Sequence, residues 1–200
     1  GLTAPLVAAG VKVVKISEDF NRALANIGTL NVPVERLKEL KTGIQDIAVS
    51  VGKDTTDIAD GTYQVVSAYG DSAETLKMVE INAKAAAAGL ATTTDTINLT
   101  SAVTKGYGTI SGEATQKVSD LAFETVRLGQ TTFPELAASM GSVVPQAKAL
   151  GASQEELFAV FATLTGVTGN AAEVSTQLGS IWTALMKPSG EMTAALKKMG

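Results

Sequence analysis

Glycine recurs along this chain at nearly constant intervals, and that spacing limits the possible folds more than any other feature. Gly52, Gly70, Gly89, Gly108, Gly129, Gly151 and Gly169 are separated by 18, 19, 19, 21, 22 and 18 residues. Glycine enters the left-handed backbone region without steric cost and commonly stands just past a helix end. Each interval therefore reads as one helix of roughly 12–16 residues followed by a short turn. Between the glycines, apolar residues recur with helical period. Val34, Leu37, Leu40, Ile44, Ile47 and Val51 form one stripe, with Glu35, Lys38, Glu39 and Asp46 on the other side. Val13, Ile16, Phe20, Leu24 and Ile27 form a second, and Val174, Leu178, Ile181 and Leu185 a third. No segment alternates with period two for long enough to make a strand.

Helix starts are also marked. Pro33 suits a first helical turn, where its missing N–H costs nothing. Ser153-Gln154-Glu155-Glu156 has the form of a capping box, in which Ser and Glu satisfy orphan amides reciprocally. The expectation is an all-α fold of about nine to eleven short amphipathic helices packed as antiparallel hairpins. Interior glycines, with Pro134, Pro145 and Pro188, argue against one long rod, since prolines break or kink such a helix. The whole of 1–200 reads as one helical domain, with a subdivision into a helix pair over 1–52 and a hairpin array over 53–200 as an alternative. Faint self-similarity supports a quasi-repeat. Thr55-Thr56-Asp57 recurs as Thr93-Thr94-Asp95 and Tyr69-Gly70 as Tyr107-Gly108, each offset by 38, and Thr131-Thr132 lies 38 further on. Such a period suits helical-hairpin repeats, while an ordinary antiparallel bundle has helices of similar length.

Composition closes several routes to function. Hydrophobic residues make up 45% and charged residues 18%, a core-forming balance. Aromatics are only 4%, so the interior must rest on Ala, Leu, Val and Ile. With neither Cys nor His, disulfides, Cys- or His-ligated zinc, Cys–His nucleophiles and Ser–His–Asp triads are excluded. Sixteen basic against twenty acidic residues give −4, and the nearest basic groupings, Lys12/Lys15 and Lys197/Lys198, are small. Binding a nucleic-acid backbone needs several phosphates neutralised together, so no direct nucleic-acid contact is expected. The longest apolar runs, Ala85–Ala91 and Leu157–Leu164, fall short of the roughly 20 residues of a membrane span. Nothing at Gly1 resembles a signal peptide. The start at Gly1 and stop at Gly200 read as a fragment of a longer chain.

Motifs that carry chemistry elsewhere have bland readings here. Ser50-Val51-Gly52-Lys53 and Lys41-Thr42-Gly43 fit two signatures of penicillin-binding enzymes, but in the wrong order and on one helix. Glu155/Glu156, Asp57/Asp60 and Glu18/Asp19 are carboxylate pairs of the kind that cleave glycosidic bonds. All sit in first turns or on polar faces, where water and the helix dipole account for them. Gly106-x-Gly108-x-x-x-Gly112 has the wrong spacing for a dinucleotide fingerprint. Asn98-Leu99-Thr100 is an uninformative acceptor tripeptide, and Trp182 beside Ile181 and Leu185 reads as a core or hairpin contact. No catalytic, cofactor-binding or metal-ligating residue is assigned, and no cofactor is expected.

Four ordered stretches carry a family resemblance. Val11-Lys12-Val13-Val14-Lys15-Ile16-Ser17-Glu18-Asp19-Phe20-Asn21-Arg22-Ala23-Leu24-Ala25-Asn26-Ile27-Gly28 resembles the opening helix of the phage tail tape measure core region. Leu37-Lys38-Glu39-Leu40, Thr55-Thr56-Asp57-Ile58-Ala59-Asp60 and Tyr69-Gly70-Asp71-Ser72-Ala73-Glu74-Thr75-Leu76 are similar to that family's charged helix, small-residue start and restart. Ala147-Lys148-Ala149-Leu150-Gly151-Ala152-Ser153-Gln154-Glu155-Glu156-Leu157 resembles its Ala-Leu-Gly-x-Ser-x-Glu-Glu segment. Leu185-Met186-Lys187-Pro188-Ser189 with Ala194-Ala195-Leu196-Lys197-Lys198-Met199-Gly200 resembles the closing helix pair. Each is a soft motif, and the order across nearly the whole chain carries the likeness. The Thr- and Gly-rich stretch from Thr92 to Thr132 departs from the pattern.

The resemblance implies a non-enzymatic structural segment of a phage or prophage tail. Such proteins occupy the lumen of the growing tube, set its length and leave ahead of the genome. The partners it implies are the tail tube protein, tail-tip and distal tail proteins, tail assembly chaperones and further copies of the chain. The place it implies is the virion tail, and the bacterial host cytoplasm during assembly. The interruptions by Gly and Pro lead us to expect a packed module here and not a uniform ruler rod. Two rival readings remain: a helical-repeat adaptor with a concave binding face, and a cell-wall hydrolase with two acids in one cleft.

Overall fold

Each glycine-bounded interval folds as one helix. The computed structural model describes residues 17–199, and among them the regular elements are ten α-helices with no strand. They span 17–28 (α1), Val34–Val51 (α2), Thr55–Tyr69 (α3), Thr75–Ala88 (α4), Thr93–Tyr107 (α5), Gly112–Leu128 (α6), Phe133–Ala149 (α7), Gln154–Thr168 (α8), Ala171–Met186 (α9) and Gly190–Met199 (α10). The fold is all-α, as the periodicity requires. Val13, Ile16, Lys12 and Lys15 lie outside the described residues, as does Gly200. No helix among the described residues is long and apolar enough to cross a membrane.

Five of the seven stop glycines take positive φ, from 63° at Gly169 to 79° at Gly70. The other two differ for separate reasons. At the end of α4, Gly89 stays at φ −92° and the left-handed residue is Leu90, at φ 51°. The turn is closed by the Ala91 N–H donating to the Ala86 carbonyl at 3.0 Å, a Schellman-type bond. Gly129 is instead required by close approach. A Cβ there would meet Thr165 Oγ1 and the carbonyl oxygens of Thr125 and Ala162, the latter at 2.9 and 3.1 Å.

Starts follow the capping chemistry. Ser153 and Glu156 form the expected reciprocal box before α8, and Thr132 with Glu135 forms a second before α7. Asp54 and Asn170 accept amides of α3 and α9. Pro33 lies one position earlier than expected: at φ −59°, ψ 148° it is the N-cap of α2. Pro145 does not end α7, which runs through it to Ala149. The helix forgoes one bond, to Gly141, at an exposed position open to water.

The described residues divide into two compact units. One runs up to Asn98 and includes Ser111–Gln116; the other comprises Leu99–Ile110 and everything from Lys117. The boundaries fall inside α5 and α6. In the first unit, Phe20, Leu24 and Ile27 of α1 share one core with Leu40 and Ile44 of α2, Ile58 and Val65 of α3 and Val79 of α4. The core of α1 and α2 thus extends to helices beyond Gly52. In the second unit, α9 packs on both α7 and α8. Phe133, Phe158, Phe161, Leu136 and Met140 are fully buried there.

The 38-residue recurrence is the distance from one helix to the next but one. α3, α5, α7 and α9 begin 38, 40 and 38 residues apart. In the first unit Gly43 of α2 abuts Leu76 of α4, and Gly61 of α3 abuts Thr93 and Ile97 of α5. In the second, Gly106 of α5 abuts Val144 of α7, while the glycine after α6 abuts Thr165 of α8. Small residues allow these alternate helices to approach closely.

Candidate functional surface

The carboxylate pairs that could have served a hydrolase are distributed among structural duties. Asp57, in the first turn of α3, accepts the backbone N–H of Thr93 at 3.1 Å and its hydroxyl at 2.6 Å, and lies 3.4 Å from Lys53 Nζ. The recurring Thr-Thr-Asp is thus a joint: the acid of one copy caps the helix opened by the next. Asp95, the acid of the second copy, turns back to its own helix start and accepts from Thr92. Asp60, beside the joint, is pushed above the usual carboxylate range by burial and then by the charge of Asp57. It lines a shallow depression with Asp19, Arg22, Asn26, Asp54 and Thr56. Asp19 is ion-paired to Arg22, and Glu18 is exposed.

Glu155 and Glu156 face different partners. Glu155 bonds Lys117 at 2.6 Å, and this contact first, then its backbone bond, holds its carboxyl below the usual range. Glu156 is held low by the backbone N–H and hydroxyl of Ser153. Glu156 is the reciprocal acid of the α8 capping box, and Glu155 is the ion-pair partner of Lys117. Among the described residues no group of three or more acids is placed to hold a metal.

The remaining motifs resolve as packing. Ser50 donates to the Ile47 carbonyl at 2.9 Å, and Lys53 donates to the Ala91 carbonyl at 2.9 Å. The Ser-x-x-Lys pair is therefore drawn to separate backbone oxygens. Gly112 opens α6, and its N–H donates to Glu74 at 3.2 Å, so an acid side chain sits where a phosphate-binding loop would hold its ligand. Leu99 and Thr100 are buried in α5.

Two polar joints were not visible in the sequence. Arg36 of α2 grips Asp71 with two nitrogens, at 2.9 and 3.2 Å, and donates to the Ser72 carbonyl at 2.8 Å. Burial alone would raise the Asp71 carboxyl, but bonds from Arg36 and Thr75, with the guanidinium charge, hold it below its ordinary value. The Tyr107 hydroxyl donates to the carbonyls of Ala152 at 3.0 Å and Ser153 at 3.2 Å. Burial, then Glu155 and Glu156, raises the pKa of that phenol. Separations of 35 and 45 residues leave no local signal.

What the surface offers is apolar helix. In the α9 stripe Val174 and Leu178 are buried, but Ile181 and Leu185 are 55% and 40% exposed. Trp182 beside them is half-buried. The chemistry available is helix-on-helix contact.

A family model described as phage-related minor tail protein matches residues 38–200. No curated protein and no solved structure matches the chain.

Proposed function

The chain belongs to the phage-related minor tail protein family, a component of the virion tail, and from that premise we propose that it is a segment of a tail tape measure protein. On this reading it is structural and non-enzymatic. It occupies the tube lumen during assembly, contributes to tail length and departs before the genome. Its partners are the tail tube protein, tip and distal tail proteins, assembly chaperones and other copies of itself, met first in the host cytoplasm and then in the tail. The observation that supports it most is the ordered run of capped helices across the matched residues, with the acids spent on caps and joints. Helices convert residue count into length at about 1.5 Å per residue, which is the physical basis of a ruler. Here each unit packs its own core, so this part of the chain acts as a folded module and not as the uniform rod.

In-frame removal of 38 residues, from the start of α7 to the start of α9, tests the ruler role. Tails measured by electron microscopy should shorten, by at most roughly 57 Å, the span of those residues as one helix. Tails of unchanged length would remove this segment from the ruler. A second reading is favoured by the recurring contacts between alternate helices, which are those of helical-repeat binding modules. It predicts normal tail length in the deletion, together with loss of a tail partner on co-purification.

A further inference from the structure

The Thr- and Gly-rich stretch that begins at Thr92 opens with a helix poorly suited to standing alone. Of the 15 residues of α5, five are threonine, and Ile97, Asn98, Val103 and Gly106 add further weak helix formers. A helix of this length is marginal in water even when built from strong formers. The order of α5 therefore depends on what it packs against.

That packing is largely hydroxylic. Thr93, Thr96, Thr100 and Thr104, set three or four residues apart, form one buried row along the helix. The Thr96 hydroxyl donates to the carbonyls of Thr93 and Asn82, both at 2.9 Å. By contrast, α2 buries Leu40, Ile44 and Ile47, and α8 buries Leu157, Phe158 and Phe161. Neighbouring α6 also buries Thr115, Ser119 and Thr125, but its Phe123 meets Phe133 edge-on, with ring centroids 4.8 Å apart. Opening an aliphatic row exposes apolar surface to water. A hydroxyl row gives up less of that surface when it opens, and water takes over its hydrogen bonds.

Polar bonds pin both ends of this helix. At its start, Asp57 of α3 accepts the N–H and the hydroxyl of Thr93. At its end, the Tyr107 hydroxyl donates to the carbonyls of Ala152 and Ser153, just before α8. We infer that α5 is a releasable strap. Pinned at its ends and weakly held between them, it opens and recloses while α2, α3, α7 and α8 stay folded. Released, its 15 residues reach up to roughly 50 Å as extended chain, against about 22 Å as helix. The chain can thus lengthen at one fixed place without losing its cores. The inference stands on packing and does not depend on the ruler role.

Hydrogen exchange of the 200-residue chain, followed by mass spectrometry in sub-denaturing urea, tests it. The amides of α5 should exchange roughly ten-fold or more faster than the protected amides of α2, α3, α7 and α8. Tyr107→Phe removes one pin and should speed exchange about five-fold in α5 alone. Ser142→Ala, which breaks the hydroxyl contact between α7 and α9, should leave α5 exchange unchanged. Three results would overturn the inference. The first is an α5 protected as strongly as α2 and α8. The second is a Tyr107→Phe chain whose α5 exchanges no faster. The third is a Tyr107→Phe chain in which α2, α3 and α8 speed up as much as α5, for then α5 opens only with the whole fold.

Discussion

The two units solve one problem, how to hold a helix against the next but one, with different chemistry. In the first, the close approaches at Gly43 and Gly61 are joined by charged contacts: Asp57 to Thr93, Arg36 to Asp71, and Glu74 to the Gly112 amide. In the second they are mostly steric and hydroxylic. Glycines abut Val144 and Thr165, the Ser142 and Ser175 hydroxyls meet at 2.8 Å, and Thr125 reaches the Phe158 carbonyl. The Lys117 to Glu155 pair there has both side chains about half exposed, and exposed pairs contribute little. Backbone spacing therefore fixes the packing in both, and side chains choose how it is secured. A charged seam fails when a partner is removed; a close-packed one fails when an atom is added.

The largest effect should come from adding an atom at Gly129. Its would-be neighbours include two backbone carbonyls, which cannot rotate away as a side-chain tip can. Gly129→Ala should cost about 2–3 kcal/mol by urea unfolding, the upper range for overpacking a tight contact. At Gly106 the obstacle is the Val144 side chain, so Gly106→Ala should cost clearly less. Equal losses at the two positions would mean that close approach to backbone is not what secures the second unit.

Next in size is removal of the Asp57 carboxylate. Two bonds to Thr93 and the contact with Lys53 go together, and the amide that opens α5 is left without its cap. Asp57→Ala should lose about 2 kcal/mol, as for charge-assisted bonds and helix caps. Ser142→Ala in the second unit should lose under about 1 kcal/mol, since its partner Ser175 retains the Ser139 carbonyl. Chemical denaturation of both variants decides the matter. A larger loss at Ser142 than at Asp57 would reverse the contrast between the units.

These joints also mark the limit of what sequence alone reveals. Helix number, stops and the Ser153 box were legible because they depend on residues three or four apart. The Thr-Thr-Asp recurrence was legible as a period but not as a bond, because nothing local shows that Asp57 reaches Thr93 and not its own helix. Arg36 and Asp71 sit in ordinary polar contexts, and only folding brings them together. The α9 stripe shows a complementary limit. Periodicity reports that a side chain is apolar, not whether a neighbour is present to cover it, and Ile181 and Leu185 remain open.

The smallest effect concerns how the units turn. In the second unit the left-handed positions among described residues, Gly108, Gly151 and Gly169, are all glycine, whereas the first also uses Asn31 and Leu90. Leu90 is 95% exposed and so recovers almost no burial for its left-handed backbone. That conformation costs an L-residue about 1–2 kcal/mol, and glycine returns part of the gain through the entropy of its unfolded chain, about 0.5–1 kcal/mol. Leu90→Gly should therefore stabilise the protein by a few tenths to about 1 kcal/mol in urea unfolding. A loss of stability instead would mean that Leu90 makes a folded-state contact worth more than the strain of its left-handed backbone.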